Sequence, residues 1–151
     1  MSDQPVREGL LAQAMRWLAR REYSVHELAN RLAGKGYPRD EVAAALDTLE
    51  SQGLVSDSRF AESLVRSRIE RGYGPVKIAL ELRSKGVDEV LIEELLDHQE
   101  ERWVELLRAV WQKRFGRPPS DYQEWARQAR GLQSRGFTAE QVRRVIPDIK
   151  P

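Results

Sequence analysis

The stretch Asp57 to Val87, DSRFAESLVRSRIERGYGPVKIALELRSKGV, reads as two helices hinged at Gly72-Tyr73-Gly74-Pro75, and its second half recurs on either side. Gly36, Gly86 and Gly136 fall at intervals of 50 residues, each preceded by a base (Lys35, Lys85, Arg135) and followed by an apolar residue (Tyr37, Val87, Phe137). The match extends to Ala29, Ala79 and Ala129, to Leu32, Leu82 and Leu132, to Val42, Ile92 and Val142, and to Leu46, Leu96 and Ile146. A threefold repeat of this period means stacked supersecondary units, each too small to bury a core alone. The fold expected is all-α, with three tandem three-helix, helix-turn-helix-like repeats over residues 1–56, 57–100 and 101–151 forming an elongated, curved array.

Working outward, the spacing of Leu10, Leu11, Ala14, Met15, Trp17 and Leu18 predicts an amphipathic helix that ends at Arg20-Arg21, bases that suit a helix C-terminus. Ser24 with Glu27 predicts a capping box for a second helix lined by Val25, Leu28, Ala29 and Leu32 and stopped at Gly36. A third helix is expected from Pro38, burying Val42, Ala45, Leu46 and Leu49 and ending at Gly53, after which Asp57 should cap the next. In the middle repeat Phe60, Ala61, Leu64, Val65 and Ile69 form the stripe, Gly72 the stop and Pro75 a first-turn proline. Val87 with Ile92 and Phe137 with Val142 are placed to staple the following helices, and Thr138 with Gln141 to box the last. No Gly or Pro interrupts Asp88 to Phe115, and a break is expected at His98-Gln99-Glu100-Glu101. Trp103, Leu106, Leu107, Val110 and Trp111 make the next stripe, Pro118-Pro119 a linker, and Ser120 or Asp121 the cap of the helix carrying Trp125. Trp17, Trp103 and Trp111 are expected in cores, and Trp125 against a neighbouring helix.

Charged residues make up 32% of the chain, which has no cysteine and therefore neither disulfides nor thiolate metal sites. No run approaches the ~18 apolar residues of a membrane span, and the N-terminal residues lack the order of a secretory signal, so a cytoplasmic protein without membrane association is expected. The net charge of +1 hides an uneven distribution. Residues 101–151 carry 11 bases against 6 acids, while residues 57–100 carry 7 against 10. Contact with phosphate would have to come from a local patch.

An enzyme is not expected. His26 and His98 stand on polar sides of helical patterns, and the chain has no phosphate-binding Gly-x-x-x-x-Gly-Lys-Ser/Thr loop, no His-Glu-x-x-His and no serine elbow. Gly72-Tyr73-Gly74 joins helix to helix without a preceding strand, so it is not a nucleotide loop. No cofactor or metal site is expected.

The candidate contact residues are basic. Arg66, Arg68, Arg71, Lys77, Arg83 and Lys85 cluster around the hinge with Tyr73. Arg59–Glu62, Glu62–Arg66 and Arg66–Glu70 are spaced as ion pairs on a solvated face, but Arg68 and Arg71 have no acid four residues away on either side. Guanidinium groups there suit phosphate or a partner's carboxylates. Arg127, Arg130, Arg135, Arg143 and Arg144 give the last repeat a basic face, a candidate for weak direct contact with DNA or an acidic surface. Solubility alone also explains surface arginines.

Asp57, Arg59-Phe60-Ala61, Arg66-x-Arg68, Gly72-Tyr73-Gly74-Pro75, Lys77-Ile78 and Leu82-x-x-Lys85-Gly86 resemble the RecX family, bacterial regulators of the recombinase RecA. The resemblance covers nearly the whole chain, including Tyr23-Ser24, Leu28 to Leu32 and Gly53-Leu54-Val55. In the third repeat it rests on spacing and Gly136-Phe137. It implies three tandem three-helix repeats in a monomer that binds in the groove of the RecA–DNA filament. It also implies inhibition of RecA's ATPase, strand-exchange and coprotease activities, within recombinational DNA repair and the SOS response, without catalysis by this chain.

Two other readings stand beside it. Residues 24–55 look like a helix-turn-helix transcriptional regulator, although the reading helix would carry Asp40, Glu41, Asp47 and Glu50 against Arg39 alone, and four acids repel phosphates. A structural helical-repeat adaptor predicts the same architecture with no nucleic acid.

Overall fold

Caps at the starts and glycines at the stops set the element boundaries. The computed structural model describes residues 4–151, which form nine α-helices and no strand. They are α1 (Gln4–Leu18), α2 (Val25–Gly34), α3 (Arg39–Ser51), α4 (Asp57–Glu70), α5 (Pro75–Ser84), α6 (Glu89–Leu96), α7 (Glu100–Arg114), α8 (Tyr122–Ser134) and α9 (Ala139–Val145). Among the described residues no helix is long and apolar enough to cross a membrane. Packing divides the chain into two compact units, one of residues up to Ser63 with Arg83–Leu91, the other of Leu64–Leu82 with Ile92–Pro151.

In the first unit α1, α2 and α3 pack on one another. Leu10, Ala14 and Trp17 of α1 meet Leu28 and Leu32 of α2 and Val42, Ala45, Leu46 and Leu49 of α3 in one core, joined by Tyr23 and Val55. Large apolar side chains buried this way stabilise by about 1.5–3 kcal/mol each. The spacing of Leu10, Ala14 and Trp17 keeps the buried line narrow, so Met15, expected on the stripe, is 52% exposed. Two expected caps are rearranged. Ser24 caps α2 by accepting the Glu27 N–H at 3.1 Å, but the Glu27 carboxylate does not close the box and is held by Arg21 and Lys85 instead. Ser56 rather than Asp57 caps α4, taking the Arg59 N–H at 3.2 Å. The Asp57 carboxylate serves α2, accepting the Val25 N–H at 2.8 Å. Helix α5 opens on Pro75, which has no N–H and needs no such acceptor.

The core of the second unit holds Leu107, Val110, Ala129, Leu132, Phe137, Val142 and Ile146 from α7, α8 and α9 and the turns at their ends. The break between α6 and α7 falls where no Gly or Pro marks it. His98 takes φ 61°, and the buried Trp103 donates its indole N–H to the Leu96 carbonyl at 2.9 Å, tying α7 to the end of α6. Trp111 lies against the core and donates to buried Gln128, whose amide donates in turn to the Arg117 carbonyl, so this buried amide is satisfied on both sides. Asp121 caps α8, and Thr138 with Gln141 closes a capping box on α9. Trp125 packs against the core and donates to the Ile146 carbonyl at 3.4 Å.

Candidate partner-binding surfaces

At two of its three copies, Gly86 and Gly136, the repeated glycine is where neighbouring helical segments meet. In the first unit the Ser24 hydroxyl, besides capping α2, donates to the Lys85 carbonyl at 2.7 Å. Lys85 Nζ lies 3.1 Å from Glu27 Oε2, which also receives Arg21. A Cβ on Gly86 would stand 2.6 Å from His26 Cβ, so close approach requires glycine. Burial opposes the charge of Glu27, yet the hydrogen bonds from Arg21 and Lys85 outweigh it and hold its carboxyl below the usual carboxylate range. A depressed folded value means the pairing stabilises the fold above the unfolded value, about 4.3, and is lost as the pH falls through the folded value. Glu27→Gln should therefore flatten the acid limb of stability against pH below about pH 5, and urea midpoints measured from pH 7 to pH 3 check it.

The same positions fifty residues later meet in the second unit with different chemistry. The Gly74 N–H donates to the Arg135 carbonyl at 2.8 Å and the Val76 N–H to the Gly136 carbonyl at 2.9 Å. Where the first unit has Glu27, this one has Lys77, so Arg135 finds no carboxylate at that position. Its Nη1 donates to the Arg71 carbonyl at 2.9 Å, its guanidinium lies 5.5 Å from the centre of the Tyr73 ring, and Lys77 Nζ lies 4.4 Å from it. Two cations thus share one aromatic ring, an arrangement favoured by the ring quadrupole. Beside them runs a groove of about 340 Å³ lined by Arg71, Lys113, Arg114 and Arg135, by Ile69, Leu106 and Val110, and by one acid, Glu70. Arg71, Lys113 and Arg114 are exposed and make no ion pair among the described residues.

The remaining candidates divide by partner. Arg68, without an acid at helical spacing, pairs in bidentate fashion with Glu81, thirteen residues on, and that hydrogen bond holds its guanidinium above its ordinary pKa. Arg83 pairs with Glu89 and Arg144 with Glu101. Arg66, Arg127, Arg130 and Arg143 are exposed and make no ion pair among the described residues. The local pairs expected around Glu62 do not form, and Arg59 reaches Glu22 at 3.1 Å instead. His26 meets the Asn30 amide and His98 sits at an exposed corner. No group of three or more His, Cys, Asp or Glu among the described residues is placed to hold a metal.

A second basic cluster was not anticipated. Arg16, Arg20, Arg21 and Arg31 line a groove of about 430 Å³ with Gln13, Trp17 and Tyr23 in the first unit. Its signal lay in the absence of any acid three or four residues from Arg16, Arg20 or Arg21.

Comparison with known proteins assigns the family. Models described as the first, second and third three-helix domains of RecX match residues 11–49, 56–96 and 100–146. Regulatory protein RecX of Halorhodospira halophila is 49% identical over 90% of this chain and 85% of its own length. The chain belongs to the RecX family. Regulatory protein RecX of Chromohalobacter salexigens is 46% identical over 88% of each chain. Among solved structures, RecX from Lactobacillus salivarius superposes with a TM-score of 0.79 at 20% identity, covering 92% of this chain and 93% of that one. Another crystal structure of regulatory protein RecX gives 0.80 at 25% identity, covering 93% of this chain and 72% of that one. These likenesses agree with the all-α fold of three RecX three-helix domains. The Tyr73 hinge lies in the second matched domain and the unanticipated arginines in the first.

Proposed function

We propose that this RecX-family chain regulates RecA by binding the RecA–DNA filament in its groove and restraining RecA's ATPase, strand-exchange and coprotease activities in recombinational repair and the SOS response. The observation that carries this is the near-full-length match to regulatory proteins named RecX. Three linked repeats, with boundaries we place at 56/57 and 100/101, supply several weak contacts that gain strength through effective concentration. Arg71, Tyr73, Lys77 and Arg135 are the contact site we favour, since two cations meet there on one aromatic ring, with Arg71 lining the adjoining groove, and none of the three bases is ion-paired among the described residues. Arg66, Arg127, Arg130 and Arg143 are exposed for further contacts, while Arg68, Arg83, Lys85 and Arg144 would have to leave acids already held. A helix-turn-helix reader of duplex DNA is disfavoured by α3, whose Asp40, Asp47 and Glu50 are exposed against one exposed base, Arg39.

Filament-dependent binding separates the readings. Labelled chain titrated with RecA alone, with DNA alone and with a RecA–DNA filament should bind the filament most tightly. Arg71→Ala with Lys77→Ala should weaken that binding by roughly tenfold or more, equivalent to about 1.4 kcal/mol, with helicity unchanged. Duplex bound as tightly as filament would support the transcriptional reading, and no binding to any of the three would leave an adaptor.

A further inference from the structure

We infer that the groove formed by Arg16, Arg20, Arg21 and Arg31 in the first three-helix domain is a second anion site, one that takes the phosphodiester backbone of a nucleic acid without reading its bases. This deepens the filament reading by naming where the chain touches the nucleic acid, on residues that reading does not use.

Two of the arginines, Arg21 and Arg31, are held in place by the aromatic residues between them. The Arg31 guanidinium lies 4.2 Å from the centre of the Trp17 ring and 5.6 Å from that of Tyr23, and it donates to the Tyr23 hydroxyl. Arg21 covers the Tyr23 ring at 3.6 Å. Stacking fixes planar forks that would otherwise be mobile, which lowers the ordering cost of a bidentate phosphate contact. Charge compensation is thin. Arg16 has only the neutral Gln13 as partner, at 3.1 Å, and Arg20 makes no side-chain hydrogen bond or ion pair among the described residues. Glu27 is shared between Arg21 and Lys85, and Glu22 is turned to Arg59. The dipoles of α1 and α2 account for bases at their C-terminal ends, Arg16, Arg20 and Arg21 on one and Arg31 on the other, but not for the convergence of the two sets on one groove.

What the groove lacks identifies its ligand. Trp17 is 8% exposed and Tyr23 3%, with cations over their rings, so no aromatic face is left on which a base could stack. Arginine clusters also recognise acidic peptides, but no exposed apolar side chain lines this groove to anchor one, so charge alone would hold the ligand. Repeated charges along a strand, one per ~3.4 Å of axis, suit an open row of guanidinium groups.

The test uses the full chain and DNA without RecA, so it can fail while filament binding holds, and the reverse. Fluorescein-labelled oligo(dT) is titrated at several salt concentrations against the unaltered protein, Arg16→Gln with Arg20→Gln, and Arg127→Gln with Arg130→Gln. All four positions are exposed, and circular dichroism checks that the helices persist. The first double variant should bind about tenfold or more weakly and lower the slope of log K against log salt by roughly 1–2, while oligo(dA) binds within about twofold of oligo(dT). An unchanged affinity and slope, an equal loss in the Arg127/Arg130 variant, or displacement of the oligonucleotide by polyglutamate at equal charge would overturn the proposal.

Discussion

Gly136→Ala should destabilise the second unit by about 2–5 kcal/mol, while Gly36→Ala, at the same position of the first repeat, should cost only about 1–2 kcal/mol. Both glycines have left-handed backbones, φ 99° and 96°, so both substitutions incur the conformational penalty. They differ in what the new methyl group meets. At Gly136 a Cβ would stand 2.5 Å from Lys77 Cβ and 2.7 Å from the Lys77 backbone nitrogen, and a helix start cannot move aside as a flexible side-chain tip can. At Gly36 nothing lies within 4 Å. Gly74→Ala should behave like Gly136→Ala, since its Cβ would press at 2.6 Å on the carbonyl group of Gly136. Urea midpoints of the three variants measure the difference, and an equal loss at Gly36 and Gly136 would mean that the repeated glycine acts only through its turn.

The contrast also shows how the repeat ends. The glycine of the second repeat meets the start of α2, that of the third meets the start of α5, and the glycine of the first meets nothing. At the other end α8 begins at Tyr122, about one turn before the position equivalent to Val25 and Pro75. The N–H of Glu124, equivalent to Ser24 and Gly74, is therefore taken by Asp121 within the helix cap. The meeting surface used by α2 and α5 is thus absent from α8, as the preceding Pro118-Pro119 and the Asp121 cap dictate.

Much of this was legible in the sequence because helices and their ends are encoded within a few residues. The buried set Val42, Ala45, Leu46 and Leu49, the stops at Gly36, Gly72 and Gly86, and the box at Thr138 and Gln141 all follow from spacing. Side chains recruited from elsewhere in the chain did not. Glu27 has the spacing of a capping box but lies where Arg21 and Lys85 converge, and two cations outbid one backbone N–H. Asp57 stands at its own helix start yet accepts the first N–H of α2, which has no acceptor within its own helix. Arg68 has no acid one turn away because its partner, Glu81, returns to it after the Gly72-Tyr73-Gly74 hinge. Arg16, Arg20 and Arg21 read as ordinary bases of a helix end until α2 brings Arg31 beside them.

The second large effect expected is on RecA itself. A chain that binds one conformational state of a filament better than another shifts the cycle toward that state, by no more than its difference in affinity. A tenfold preference corresponds to about 1.4 kcal/mol and at saturation multiplies the ratio of the two states by about ten. The direct measurement is steady-state ATP hydrolysis by RecA on single-stranded DNA as this chain is titrated to saturation, with strand exchange followed in parallel. Hydrolysis and exchange should fall severalfold or more, with half-effect at the concentration that half-saturates filament binding, and Arg71→Ala with Lys77→Ala should move both midpoints together. Unchanged hydrolysis and exchange on filaments demonstrably saturated with the chain would contradict regulation of RecA.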